Sequence, residues 1–468
     1  MPIPLTCDQP GLDQVLHDAD GSRILRSVLP GGIRLLTEQD TSVRSVSVGF
    51  WLPVGSRDET AEHAGSTHFL EHLLFKGTPT RSALDIAAAF DEVGGEANAV
   101  TAKEHTCYYA RVRSTDLPMA ISVLADMVTS SALEADAFLT EREVILEELA
   151  MAEDDPTDIG HEALLADTLG PTTALGRPVG GTPDTVMAVS VEDVRAHYTQ
   201  HYRPENLIVT AVGDVDHEQL KNLLLEAVAT GGWELREGTL PSPRRSPDQH
   251  TMPHHTDLPQ VSVTACPTRR LRRDTEQTHV FIGGESITAI DERRQAMAIL
   301  MSTLGGGMSS RLFQEIREKR GLAYSVYSFH SSYRDAGMIG LYGACRAKSA
   351  NLVADLLVSE VQTMAERGIS QRELDRALGQ ITGSMALGLE DPSSRMGRLA
   401  TAELLHGRYR TVDEALAAFT TVTVEQVQDL ARDMADRLSV RVDVGPLSET
   451  AAGALPRPLT TTSEEITV

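Results

Sequence analysis

The chain has 468 residues, 41% of them hydrophobic and 23% charged, and a formal net charge of −25. That length exceeds one ordinary core, so two domains are expected, and the composition is that of a globular protein. The acidic balance argues against a nucleic-acid binder and against binding to an anionic membrane; it is compatible with cationic peptides, though a general acidic bias has the same composition.

The N-terminus, Met1-Pro2-Ile3-Pro4-Leu5-Thr6, carries no basic region followed by an apolar run, so no secretory signal is expected. No stretch approaches the roughly 18 apolar residues of a membrane span. Cys7, Cys107, Cys266 and Cys345 lie far apart and form no C-x-x-C pair, which indicates neither a disulfide framework nor a zinc ribbon. A reducing compartment fits such cysteines, and the expected location is the cytoplasm.

The alternating run Ser45-Val46-Ser47-Val48-Gly49-Phe50-Trp51-Leu52 predicts a strand. His68-Phe69-Leu70-Glu71-His72 follows, and it is the most informative segment. It reads H-x-x-E-H, the inverted order of a zinc-protease motif. On a helix His68 and His72 stand at i and i+4, so both imidazoles project from one face with Glu71 beside them. Two imidazoles one turn apart can grip a metal ion, and an adjacent carboxylate can take a proton from water on that metal. Helical patterns continue at about 82–93, 116–131, 134–155 and 191–201, and a strand at Leu207-Ile208-Val209-Thr210-Ala211-Val212. The mixture predicts an α+β fold, with helices packed on a largely antiparallel sheet. Residues 231–253, rich in Gly and Pro with little apolar periodicity, read as an exposed linker.

A weak repeat spans that linker. Ser190-Val191-Glu192-Asp193-Val194 resembles Thr423-Val424-Glu425-Gln426-Val427 at an offset of 233, and Val212-Gly213-Asp214 resembles Val444-Gly445-Pro446 at 232. Glu141-Arg142-Glu143-Val144 matches Gln371-Arg372-Glu373-Leu374 at 230. Three matches in order at nearly one offset point to two similar domains from a duplication. At that offset His68, Glu71 and His72 fall near Ala298, Met301 and Ser302, and Glu148 opposite Leu378. The second half therefore keeps the architecture without the metal-binding side chains.

A catalytic zinc usually has three protein ligands. Candidates for the third lie in Glu141-Arg142-Glu143-Val144-Ile145-Leu146-Glu147-Glu148-Leu149. Glu141 and Glu148 are two helical turns apart and share a face, so one can bind metal while the other orients a histidine. Glu147 competes with Glu148 on spacing. His197 and His201 also stand at i and i+4, but no acid lies between them, and they read as structural. His254-His255 reads as solvated. The loop Gly305-Gly306-Gly307 lacks the G-K-[ST] ending of a nucleotide cradle.

The run Ala64-Gly65-Ser66-Thr67-His68-Phe69-Leu70-Glu71-His72-Leu73-Leu74-Phe75-Lys76-Gly77-Thr78 closely resembles the signature of the M16 zinc metallopeptidases, with Ser66-Thr67 the slight departure. The resemblance covers roughly residues 20 to 445, and the layout is most similar to the beta subunit of the mitochondrial processing peptidase and its bacterial relatives. It implies a zinc ion, one per chain, held by His68, His72 and Glu148, since the family's third ligand lies about 76 positions after the second histidine, as Glu148 does here. Glu141, seven positions earlier, matches the family's supporting glutamate. Gly94-Gly95-Glu96-Ala97-Asn98-Ala99-Val100-Thr101 resembles the edge strand that pairs with bound peptide, with Asn98 and Ala99 as substrate-binding residues. Arg317 and Tyr324, seven apart, match a pair that grips the substrate carbonyl, reaching it from the partner subunit in two-subunit relatives.

The resemblance thus implies a zinc-dependent endopeptidase or oligopeptidase. Glu71 acts on zinc-bound water, Tyr324 and Arg317 serve the reacting carbonyl, and a dimer encloses peptide substrates in a chamber. Because this chain holds both the metal set and the Arg317/Tyr324 pair, a homodimer is expected rather than one half of a hetero-pair. The competing expectation is a non-catalytic scaffold or partner subunit of the same family. The expected division is a catalytic metal-binding domain at 20–230, a linker at 231–253, an inactive homologous domain at 254–447 that contributes Arg317 and Tyr324, and a tail at 448–468.

Overall fold

The computed structural model describes residues 2–5, 8–19, 22–245 and 268–446. Cys7, Cys266, His254-His255, the linker beyond residue 245 and the tail at 448–468 lie outside the described residues. The strands are β1 (Ile3–Pro4), β2 (Asp13–Ala19), β3 (Ser22–Val28), β4 (Arg34–Asp40), β5 (Ser45–Leu52), β6 (Glu96–Thr101), β7 (Thr106–Arg113), β8 (Ile208–Gly213), β9 (Thr268–Arg272), β10 (Thr278–Glu285), β11 (Ala323–Ser332), β12 (Gly337–Cys345), β13 (Arg408–Tyr409) and β14 (Leu438–Gly445). The helices are α1 (Ser66–Leu74), α2 (Ala83–Asp91), α3 (Leu117–Ser130), α4 (Ala135–Asp154), α5 (Pro156–Leu169), α6 (Pro183–Ala188), α7 (Val191–His201), α8 (His217–Thr230), α9 (Arg294–Gly305), α10 (Ala350–Arg367), α11 (Gln371–Gly388), α12 (Pro392–Thr401), α13 (Val412–Thr420) and α14 (Val424–Arg437).

These residues fall into two compact units. Unit one is drawn from Met1–Ala152, Thr172–Gln249 and Gly383–Leu416, and unit two from Glu153–Pro171, His250–Thr382 and Ala417–Val468. Unit one holds a sheet ordered β2-β3-β4-β8-β5-β7-β6, and unit two a sheet ordered β9-β14-β10-β12-β11. Within these sheets only β4 with β8 and β9 with β14 run parallel. From β4 onward the first sheet follows the same plan as the second: β4 corresponds to β9, β8 to β14, β5 to β10, β7 to β12 and β6 to β11. The chain is thus an α+β protein of two similar units.

Both faces of each sheet are covered, and the strand sequences show why. In β5, Val46, Val48, Phe50 and Leu52 enter the main core of unit one. The intervening residues meet α12 instead. Trp51 packs with Met396 and Leu399, Ser47 hydrogen-bonds to Ser393, and a Cβ on Gly49 would come 3.1 Å from Met396 Sδ. The alternation seen in the sequence therefore separates two packed faces, one of them shaped by small residues for a helix, rather than a core face from a wet one. In unit two α5 plays this part. Ile159 and Leu164 pack with Phe281, Val440 and Val442, and Gly160 admits the Phe281 ring, which an added Cβ would meet at 2.1 Å.

The covering helices are exchanged: α5 comes from the first half of the chain and belongs to unit two, while α12 comes from the second half and belongs to unit one. A division of the sequence into consecutive domains does not describe this. Each helix starts at an Asp-Pro pair, Asp155-Pro156 and Asp391-Pro392, whose aspartate accepts backbone N–H bonds of the first turn. These pairs are 236 apart. Helices α4 and α11 start at the same offset, and their buried residues Phe138 and Glu141 fall on Leu374 and Ala377. The match at 230 between the 141–144 and 371–374 segments is therefore out of register. The starts of α3 and α10 are 233 apart, and the greater length of α10, 18 residues against 14 in α3, carries the offset from there to 236. The counterpart of Glu148 is Ser384 rather than Leu378, so the second half still lacks that carboxylate.

Residues 231–245, the start of the predicted linker, run along unit one. Trp233 and Leu235 rest on its core, and Arg245 pairs with Asp58 at 2.7 Å. Cys107 and Cys345 are buried and free. Among the described residues no single helix is long and apolar enough to cross a membrane.

Candidate metal centre

Helix α1 turns Phe69, Leu70, Leu73 and Leu74 into the core and leaves His68, Glu71 and His72 half-buried on its other side. Phe69 stacks on Phe138 of α4 with ring centroids 4.3 Å apart, which lays α4 beside α1. Along α4, Phe138, Glu141, Ile145 and Glu148 follow helical spacing, so the face that begins with the stacked ring delivers two carboxylates to the histidines. Glu147 lies off this face and is exposed.

The Glu148 carboxylate Oε2 lies 3.7 Å from His68 Nε2 and 3.5 Å from His72 Nε2. All three donor atoms lie within 4.8 Å of one another. These separations are too long for hydrogen bonds. They suit ligands of a common centre: tetrahedral bonds of about 2.0–2.1 Å place neighbouring donors roughly 3.4 Å apart. Burial, with the neighbouring His72, holds His68 below its usual range against the pull of Glu148 and Glu71, so its imidazole is favoured in the neutral, ligating form. The residues fit a zinc ion in donor type and spacing.

Glu141 is buried, with Oε2 3.1 Å from His72 Nδ1 and Oε1 2.7 Å from Lys76 Nζ. Glu71 is not part of the cluster; its Oε2 accepts a hydrogen bond from Thr101 Oγ1 on β6. In β6 the Asn98 Oδ1 accepts the Ala99 N–H at 2.8 Å, and β6 is the edge strand of its sheet. Arg317 and Tyr324 lie together in unit two. The guanidinium sits 4.2 Å from the Tyr324 ring centroid and donates to the Tyr324 carbonyl at 2.9 Å, and the tyrosine is 75% exposed.

Sequence reasoning missed Glu59. Helix α1 starts at Gly65 in a left-handed conformation with no side-chain cap of its own. Glu59 supplies the cap, accepting the Gly65 and Thr67 N–H groups at 2.8 and 2.6 Å. Burial pushes its carboxyl up to about 7 against these donors and Arg177. The pattern of a glutamate a few residues ahead of a helix is too common to single it out. His197 meets Thr67 Oγ1 at 3.1 Å and is driven down to about 4 by burial, so it joins α7 to α1 as a neutral group. A second cluster, Asp13, His217 and Glu218, does not fit a metal: Ser27 and Thr37 hydroxyls occupy both ring nitrogens of His217 at 2.7 and 2.8 Å. Among the described residues unit two contains no such cluster.

A duplicated α+β chain with one His/His/Glu cluster, confined to its first unit, defines the class. The description "Insulinase (Peptidase family M16)" matches residues 34–182, and "Peptidase M16 inactive domain" matches residues 188–381. A Streptomyces coelicolor protein described as an uncharacterized zinc protease is 46% identical over 92% of each chain. A Mycobacterium tuberculosis protein of the same description is 44% identical over 90% of this chain and 93% of its own, and one from Bacillus subtilis is 36% identical over 88% and 95%. The chain belongs to peptidase family M16. Among solved structures, a protease from Helicobacter pylori shares the fold with a TM-score of 0.80 at 21% identity, covering 91% of this chain and all of the other.

Proposed function

We propose that the chain is a zinc-dependent endopeptidase or oligopeptidase that holds one zinc per chain through His68, His72 and Glu148. The observation that carries this reading is the convergence of those three donors beside a carboxylate, Glu71, that is not among them. The zinc protease descriptions of its relatives support it. Bound zinc supplies Lewis acidity toward a peptide carbonyl and toward water. Glu71 takes a proton from the attacking water and returns it to the leaving amine. Glu141 accepts the His72 Nδ1 proton, which fixes the tautomer whose Nε2 lone pair is free. The edge strand around Asn98 and Ala99 holds the peptide by strand addition, which demands little of its sequence. Arg317 and Tyr324 hold the substrate carbonyl, contributed across a homodimer that encloses the peptide.

The test is the Glu71→Gln variant. It is expected to keep one zinc per chain by metal analysis and to lose cleavage of a fluorogenic peptide by at least about 10²-fold. Retained turnover removes Glu71 from the proton-transfer role. A wild-type protein that binds zinc and cleaves nothing favours the scaffold or partner-subunit reading.

A further inference from the structure

We propose that Thr101 is a positioning residue that sets the orientation of the Glu71 carboxylate and ties it to the free edge strand of unit one. This rests on the reading of Glu71 as the proton-transfer group. The last torsion of a glutamate is broad, so a carboxylate at the end of three rotatable bonds has no defined direction unless something holds it. Here Thr101 Oγ1 donates to Glu71 Oε2, and among the described residues it is the one hydrogen-bonding partner of that side chain. One oxygen is anchored, and the other keeps its lone pairs for a proton.

The anchor stands on rigid ground. Thr101 ends β6 opposite Thr106 of β7. Just beyond it, the Ala102 N–H bonds to His105 O at 2.9 Å, while the carbonyls of Ala102 and Lys103 accept the Ser56 and Arg57 N–H groups at 3.1 and 3.0 Å. Gly55 lies so close that a Cβ would come 2.3 Å from Ala102 O. The hairpin tip is therefore clamped to the segment that precedes α1. Threonine suits the position because its branched Cβ restricts χ1 and limits where the hydroxyl can point. Strand alternation puts Thr101 on the same face as Ala97 and Ala99, both packed against the core, with Asn98 and Val100 on the opposite face. A peptide added to the free edge of β6 thus bonds to the strand that orients the carboxylate, so binding and proton transfer share one support.

The experiment compares zinc-loaded wild type, Thr101→Val and Thr101→Ser on a fluorogenic peptide. Valine keeps the shape without the hydroxyl; serine keeps the hydroxyl. Thr101→Val is expected to lower kcat roughly 10–100-fold, the scale of a misplaced reacting group. KM and zinc content stay near wild type, and Thr101→Ser recovers most of kcat. A wild-type kcat in Thr101→Val, or a Thr101→Ser variant as impaired as it, overturns the proposal. Thermal unfolding of a double-mutant cycle gives a readout independent of turnover. Thr101→Val is expected to lower Tm in the wild-type background and to have little effect in Glu71→Ala. Equal shifts in both backgrounds overturn the proposal by showing no coupling between the two side chains. Wild-type protein without cleavage activity would defeat the peptidase reading itself, and the cycle separates that failure from this one.

Discussion

Glu141 is 3% exposed, and both of its oxygens are engaged, one by His72 Nδ1 and one by Lys76 Nζ. The ammonium balances the buried carboxylate, and the carboxylate in turn holds one face of the imidazole, leaving Nε2 directed at Glu148. Glu141→Gln keeps the shape and removes the charge. Its zinc affinity is expected to fall about 10–100-fold in a competitive chelator titration; unchanged affinity would mean that His72 is oriented by its helix alone. The H-x-x-E-H set was legible because the i, i+4 rule is local. Choosing Glu148 over Glu147 needed a family spacing. The physical reason is the stripe through Phe138, Glu141 and Ile145, which depends on which face of α4 meets α1. The Thr101 contact with Glu71 joins residues 30 apart on different elements, and no periodicity reports such a meeting.

At the scale of elements, α1 is a nine-residue helix that carries the motif and has no cap of its own. Isolated helices of that length are marginal. Its start depends on Glu59, which is 7% exposed, and on packing so close that a Cβ on Gly65 would come 2.7 Å from Gly180 O. Glu59→Ala leaves the Gly65 and Thr67 N–H groups buried without an acceptor. A loss of about 2 kcal/mol or more is expected from the denaturant midpoint, with weaker zinc binding because both histidines ride on this helix. Stability equal to wild type would mean that water caps the helix as well as the carboxylate does. Helix and strand types were largely readable from period, but register across the repeat was not. The 141–144 and 371–374 segments match in residue type, yet burial aligns α4 with α11 six residues further on; the offset changes along the chain, in part through the longer α10, and a change of helix length leaves no mark on local pattern.

For the whole molecule the feature hidden from the sequence is the reciprocal exchange of α5 and α12, since hydrophobic period says that a face is covered but not by which segment. In unit one the exchanged segment is pinned by a charge. Glu403, fully buried just after α12, accepts from Arg26 Nε at 2.8 Å and from Arg244 Nη2 at 2.6 Å, with Arg34 Nη1 at 3.5 Å. Burial alone would raise its carboxyl, but the hydrogen bonds and charges of Arg26, with Arg244 and Arg34, hold it below the ordinary value of 4.5. A carboxyl depressed in the folded state contributes stability that is complete above the unfolded value and is lost as pH falls through the folded one. Glu403→Gln leaves Arg26 and Arg34 buried without that counter-charge, so a loss of about 3–5 kcal/mol is expected at neutral pH. The gap between variant and wild type is expected to narrow once the pH drops below about 4.5. Urea unfolding at pH 7 and in that acid range measures both. A gap that is absent at pH 7, or equally wide in acid, would mean that apolar packing of Leu399 and Met396, rather than the buried charge, holds the exchanged segment in place.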